Sequence, residues 1–206
     1  MKINFFAGLS YSIVNETEAI SRLASNNSGV VLINHQSSID LLALITQLWP
    51  LMEGRCSVIS KKSLLYTGPF GLMAYMSGVS FIDRNKSKEA RQVLNESTQE
   101  CKDKGLKMVV FPEGTRFHHP TNLTMLPFKL GAFDAAINSK LSVLPVVLSH
   151  YNFYDAQRKI LNPGGIRIHV LEPIDSRQFP DSKTFSEFTR EKMIKVFQDD
   201  AKTHYS

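Results

Sequence analysis

The chain has 206 residues, of which 43% are hydrophobic and 21% charged, and its formal net charge is +5. That length and balance suit a single globular domain with a sizeable core and exclude a disordered chain. The positive charge favours anionic partners, namely phosphorylated small molecules or an acidic membrane surface, and no dense Lys/Arg block with interleaved aromatics points to nucleic acid.

Residues 1–25 read as a partly amphipathic helix, ending in the polar turn Ser25 to Gly29. Residues Ile3 to Val14 carry no charge, but polar residues interrupt them and no clear cleavage site follows, so they do not read as a secretory signal. Val30 to Ile33 is a short buried strand. A helix is expected from Ser38 to Leu48, stopped by Pro50. Gly54 to Ser60 holds a second strand, leading into Lys61-Lys62. The stretch Ser63 to Ile82 is uncharged and long enough to span a membrane, yet its glycines, proline and serines break it. It reads as a helix over 69–76 followed by a strand over 79–82, with a side that faces lipid.

The clearest helix covers 86–104, with Ala90, Val93, Leu94, Ser97 and Cys101 on one face and Gly105 as its stop. A fourth strand spans 106–111, a polar loop 115–124, and a helix 129–138. A fifth strand spans 143–148, where Pro145 argues for an edge position or a bulge. Ile166, Ile168 and Val170 alternate with Arg167 and His169 as a half-buried sixth strand. In the last helix, about 184–200, Phe185, Phe188, Met193, Val196, Phe197 and Ala201 fall broadly inward. Strands alternating with helices place the chain in the α/β class, with layers of helix on sheet. Cys56 and Cys101 are far apart and in no metal spacing, so they read as buried small apolar residues.

Chemistry concentrates after three strands. In Asn34-His35-Gln36-Ser37-Ser38-Ile39-Asp40, His35 sits where a strand gives way to a helix. Ser37 or Ser38 is placed to cap that helix, and Asp40 lies in its first turn. If His35 is still in the turn, Asp40 reaches one ring nitrogen and leaves the other as a base. A turn histidine and a first-turn carboxylate with no such role fit the same spacing. Pro112-Glu113-Gly114-Thr115-Arg116 offers a carboxylate, a permissive backbone, a hydroxyl and a guanidinium that can grip a phosphate. The alternative there is a surface turn with an ion pair. Arg84 ends a third strand; its alternative is a surface charge paired with Asp83 or Glu89. His118-His119 reads as a solvated loop pair rather than a metal site. No G-x-S-x-G elbow, P-loop or G-x-G-x-x-G occurs. Direct attack by a substrate hydroxyl is then more economical than a covalent intermediate.

Together these stretches resemble, in order, the four blocks of the glycerolipid acyltransferases: Asn34 to Asp40, Gly78 to Arg84, Phe111 to Arg116 and Val143 to Leu148. Leu126 to Phe133 and Ser60 to Leu64 bring the likeness closest to the lysophosphatidic acid acyltransferases. The resemblance covers about residues 28–172 and implies a glycerol-3-phosphate acyltransferase-like layered fold, a mixed, mostly parallel sheet flanked by helices. It implies one acyltransferase domain over 1–206, with an N-terminal helical segment (1–27), the motif-bearing core (28–172) and a C-terminal helix (183–206). The implied reaction is acyl-CoA-dependent acylation of the sn-2 hydroxyl of lysophosphatidic acid to phosphatidic acid. His35 would be the general base and Asp40 its partner. Arg84, Glu113, Gly114, Thr115 and Arg116, helped by Lys61, would form the glycerophosphate pocket. Glu113 would hold one of the arginines or a glycerol hydroxyl. Pro145 and its strand would shape an acyl or acyl-CoA surface. Acyl-CoA is a co-substrate; no metal, bound cofactor, nucleic acid or protein partner is implied. The implied location is the endoplasmic reticulum membrane. The family is integral to the membrane, but only 34 residues precede His35 and none makes a convincing span; the alternatives are a truncated form or short isoform, and peripheral attachment through residues 1–14 and 63–82. Leu130 stands where the family often has a basic residue, which would weaken phosphate or CoA binding. The alternatives are a same-family enzyme for another acceptor, such as glycerol-3-phosphate or a lysophospholipid, an inactive lipid-binding module, and a soluble anion-binding protein.

Overall fold

Val30–Ile33, Met108–Val110 and Val143–Leu148 are runs with apolar side chains on both faces, as strands covered by helices on both sides must be. In the computed structural model they form the centre of one sheet. The structure describes residues 3–5, 8–25, 27–66, 68–76, 79–82, 87–156 and 158–205. In chain order the elements are β1 (Ile3–Phe5), β2 (Leu9–Val14), α1 (Glu16–Ala24), β3 (Gly29–Ile33) and α2 (Ile39–Ala43). A π-helical turn (Leu44–Leu48) joins α2 to α3 (Trp49–Leu51). Then come β4 (Cys56–Lys61), a 3₁₀ turn (Lys62–Tyr66), α4 (Pro69–Met76), β5 (Ser80–Ile82), α5 (Ser87–Asp103) and β6 (Lys107–Val110). The second half holds α6 (Gly131–Ser139), β7 (Ser142–Leu148), the hairpin β8 (Tyr154–Asp155) and β9 (Ile160–Leu161), β10 (Gly164–Val170), β11 (Ile174–Asp175) and α7 (Ser182–Tyr205).

The main sheet runs β1-β2-β10-β7-β3-β6-β4-β5, with β11 also on β7. β7, β3, β6, β4 and β5 are mutually parallel, and β10 and β11 run antiparallel to β7. The sheet is therefore mixed, mostly parallel and flanked by helices. One core lies under α1 to α3 and includes Val31, Ile33, Val109, Leu144 and Val146. The other lies under α5, α6 and α7 and includes Val30, Leu32, Met108, Val110, Val143 and Val147. The parallel topology brings the ends of five strands to one edge, where ligands of such sheets gather.

Three expectations change, and that for Pro145 narrows to one of its two alternatives. The N-terminal segment is not helical throughout: β1 and β2 precede α1. Leu9 and Tyr11 alternate inward, and β2 pairs in parallel with β10 from Leu9–Gly164 to Val14–His169. That period of two is the strand signal. Pro50 does not stop the helix at Leu48. The π turn closes with the Trp49 N–H donating to Leu44 O, and Pro50 sits within the last turn. Pro145 is not at an edge; β7 lies between β3 and β10, and Pro145 pairs with Leu32. From Val146–Val170 to Val143–Ile174 the partner advances four residues against three, which is a bulge. The Leu171 N–H meets the Pro145 carbonyl there, so the missing proline N–H faces the interrupted part of the ladder. Last, Phe188 of α7 is 38% exposed, while Phe185, Met193, Phe197 and Ala201 are buried. Phe188 packs on Phe179 beside α7 and under Lys192.

Cys56 and Cys101 are buried, and burial pushes each thiol up to about 11.

Candidate active site

The turn after β3 is held from three sides. Asn34 extends the pairing past the strand's end: its amide donates to Leu148 O at 3.1 Å and accepts from Leu148 N at 2.7 Å. Gln36 donates to Ser149 O at 2.9 Å. Asp40, 0% exposed, turns back from α2 beneath the turn. Its Oδ2 lies 2.7 Å from His35 Nδ1 and accepts the N–H groups of Gln36 at 2.6 Å and Ser37 at 3.0 Å. Its Oδ1 accepts the Tyr151 hydroxyl at 2.7 Å. The carboxylate thus caps the helix entrance as well as holding the imidazole. Ser37 Oγ accepts the Ile39 N–H at 3.0 Å, whereas Ser38 makes no capping bond and serves Arg116 instead.

His35 therefore has one nitrogen committed to Asp40, and among the described residues its Nε2 has no hydrogen-bond partner. Its ring stacks on Phe111, centroids 4.2 Å apart, and the side chain keeps 16% exposure. An imidazole held in one tautomer by a buried carboxylate, with its other nitrogen available, is the arrangement of a general base.

β6 supplies the neighbouring loop. Glu113 is 3% exposed, and its carboxylate meets two backbone N–H groups. Its Oε1 accepts the His35 N–H and its Oε2 the Leu126 N–H, both at 2.8 Å. Burial raises its carboxyl above the usual range, and the two N–H donors act against that. These bonds give Glu113 a structural part: a carboxylate between two loops satisfies buried amides that no strand reaches. Phe117 N–H donates to His35 O at 2.8 Å and completes the junction. Gly114 has φ +72°, and a Cβ there would sit 3.3 Å from Lys129 Cγ. Thr115 and Arg116 are exposed, and Arg116 Nη1 donates to Ser38 Oγ at 2.8 Å.

The Pro112–Thr115 turn also walls a cavity of about 650 Å³ on the α5–α6 face. Ile59, Ile82, Leu94, Val110 and Ala132 line it, with Lys129 and Arg91 among the lining cations. Phe111 belongs to this wall and to the His35 stack, so the cavity and the imidazole share one aromatic ring.

Lys61 ends β4, exposed, in register with Ile82 of β5. Arg84 lies outside the described residues. Pro145 is buried in the sheet and is not among the cavity's lining residues. His118 is not a solvated loop residue: its Nε2 lies 3.0 Å from Tyr151 O and its ring stacks on His150. Burial lowers both imidazoles' pKa. Among the described residues no group of three His, Cys, Asp or Glu side chains is placed to hold a metal ion. Tyr151 and Phe111 carry parts of the site that residue type alone did not single out. Their position did: each follows the end of a strand adjacent to β3.

Residues 13–149 match the Acyltransferase family model. The chain is 34% identical over 193 residues to the 1-acyl-sn-glycerol-3-phosphate acyltransferase alpha of Mus musculus, covering 92% of this chain and 65% of that protein. It is 34% identical over 173 residues to the 1-acyl-sn-glycerol-3-phosphate acyltransferase of Saccharomyces cerevisiae, covering 82% of this chain and 55% of that one. It thus spans somewhat under two thirds of the length of these relatives. The crystal structure of a 1-acyl-sn-glycerophosphate (LPA) acyltransferase from Thermotoga maritima matches with a TM-score of 0.72 over 95% of this chain and 73% of that chain, at 21% identity, a likeness of fold. With the family model matched across its motif-bearing core, the chain belongs to the Acyltransferase family.

Proposed function

We propose that this protein transfers an acyl group from acyl-CoA to the sn-2 hydroxyl of lysophosphatidic acid, giving phosphatidic acid and CoA. The observation that carries the reading is the His35–Asp40 pair, 2.7 Å apart at the parallel strand ends. The names of the relatives from Mus musculus and Saccharomyces cerevisiae support the choice of acceptor. His35 Nε2 takes the hydroxyl proton as that oxygen attacks the thioester carbonyl. The C–S bond then breaks, and the imidazolium returns the proton to the departing thiolate. Asp40 keeps the proton on Nδ1 and stabilises the imidazolium. Thr115 and Arg116, with the Gly114 backbone, Lys61 and Arg84, bind the glycerophosphate, the cations meeting the phosphate. The cavity bounded by Ile59, Ile82 and Leu94 takes an acyl chain.

The membrane is reached through the 3₁₀ turn and α4. Tyr66, Leu72, Tyr75 and Met76 are 58–77% exposed. From Gly54 to Ile82 the sequence holds Arg55, Lys61 and Lys62 and no acidic residue. Exposed apolar and tyrosine side chains beside lysines fit the interface of an anionic bilayer, in keeping with an endoplasmic reticulum location. Among the described residues no helix is long and apolar enough to cross a membrane.

The test is acyl transfer from labelled oleoyl-CoA in mixed micelles, with lysophosphatidic acid, glycerol-3-phosphate and lysophosphatidylcholine offered separately. Phosphatidic acid from the wild-type protein and none from a folded His35→Ala variant is the expected result. Turnover by that variant would remove His35 as base, and preference for another acceptor would reassign the substrate.

A further inference from the structure

Behind the imidazole, Asp40 is enclosed, and its two oxygens are served differently. Oδ2 has three donors, all from the turn it caps. Among the described residues Oδ1 has one, the hydroxyl of Tyr151 at 2.7 Å. Tyr151 comes from the far side of the turn, three residues past the end of β7, and is 0% exposed. Its ring packs against Phe153, centroids 5.4 Å apart, and its carbonyl lies 3.0 Å from His118 Nε2. Phenol and backbone are thus both held. Burial first, and then the charge of Asp40, push the phenol's pKa well above its ordinary value, so it stays a donor.

We infer that Tyr151 is a positioning residue for the His35–Asp40 pair, donating to Asp40 Oδ1 so that the carboxylate keeps Oδ2 aimed at His35 Nδ1. The inference rests on the reading of His35 as base. A buried carboxylate is tolerable only where its lone pairs are met. Loss of the Tyr151 bond would leave Oδ1 bare and free the carboxylate to rotate. The imidazole would then meet a carboxylate no longer fixed in place, and its proton affinity would change.

Tyr11 supplies the matched comparison. It is 1% exposed, its phenol is raised to about 12 by burial and by Asp40, and its hydroxyl has no hydrogen-bond partner among the described residues. Tyr151→Phe and Tyr11→Phe each remove one buried hydroxyl near the same carboxylate. Only the first removes a bond to it.

The experiment compares the two variants with wild type in pH–rate profiles of acyl transfer and in NMR titration of the His35 imidazole. Tyr151→Phe is expected to lower kcat about ten- to a hundredfold, the range of one hydrogen bond to a charged group, with both KM values within about twofold. The acid limb of its profile and its His35 titration should both move from the wild-type positions. Tyr11→Phe should move neither. An unmoved titration in Tyr151→Phe, whatever its turnover, overturns the inference. So does an equal shift in Tyr11→Phe, which would mean that any lost phenol perturbs the site. Failure of the base assignment shows separately, as turnover by His35→Ala. The NMR readout judges Tyr151 even where no turnover is found.

Discussion

Asp40 and Glu113 are both buried, and both accept backbone N–H groups from the turn that carries His35. One grips the turn from within its own helix and the other from the loop after β6. The imidazole is therefore placed by its main chain as much as by its ring contacts. Glu113→Gln tests the second grip. The amide has one acceptor where the carboxylate has two, so either His35 N–H or Leu126 N–H loses its partner. We expect about 1–3 kcal/mol of lost stability and a fall in melting temperature of a few degrees. Turnover should fall with it, because His35 shifts. Were Glu113 a substrate ligand instead, KM for the acceptor would rise with the melting temperature unchanged.

The segment between β4 and β5 is the element most turned toward an external surface. α4 packs on the 3₁₀ turn only because residue 71 is glycine; a Cβ there would sit 2.2 Å from Leu65 O. With its base seated in this way, Leu72, Tyr75 and Met76 remain outside. β4 and β5, which carry this segment, also give Ile59 and Ile82 to the cavity wall, so a lipid surface held here lies next to the cavity proposed for the acyl chain. Leu72→Asp with Met76→Asp should reduce co-sedimentation with phosphatidylserine vesicles at least about tenfold, since each apolar side chain contributes about 1.5–3 kcal/mol when fully buried. Turnover of a short-chain, monodisperse acceptor should stay unchanged. Equal vesicle binding by the double variant would place membrane contact elsewhere.

At the scale of the whole molecule, charged and titratable groups tie the later strands to what covers them. Arg167 and His169 on β10 meet Asp200 of α7, with Arg167 bidentate at 2.7 Å and His169 at 2.8 Å. Burial would raise the Asp200 carboxyl, but these partners hold it well below the carboxylate range. His118 and His150 lock the 115–124 loop to the end of β7, His150 Nε2 lying 3.0 Å from His119 O. Burial outweighs the raising influence of Asp155 and Asp40 on His118 and lowers its pKa; His150 is lowered by burial and by both neighbouring histidines. A base whose folded pKa lies below its unfolded value, about 6.5 for histidine, stabilises the fold above that value. The stability is lost as pH falls through the folded pKa. Urea midpoints should therefore drop between about pH 7 and pH 5, and His150→Phe should flatten that drop. An unchanged slope in His150→Phe would assign the pH dependence to other groups.

Local pattern made much of this molecule readable. The runs at 30–33 and 143–148, the helix at 87–103 and the strand at 164–170 each carry a period or a buried run that needs no partner to be recognised. The pairing of His35 with Asp40 was legible too, because five residues of one turn decide it. What spacing could not give was anything settled across the sheet. Leu9 and Tyr11 are a strand only because β10 offers a parallel edge. Pro145 is central only because a bulge after Val170 leaves its missing N–H unopposed. Glu113 reads as a ligand beside Arg116 in the chain, yet it lies under His35, 78 residues earlier, and bonds its amide. Tyr151 meets Asp40 across 111 residues. The sequence by itself determined the central strands, the longer helices and the pairing of His35 with Asp40, since these rest on local geometry. The tertiary structure decided which buried donors and acceptors those residues find, since parallel strands bring distant segments to one edge.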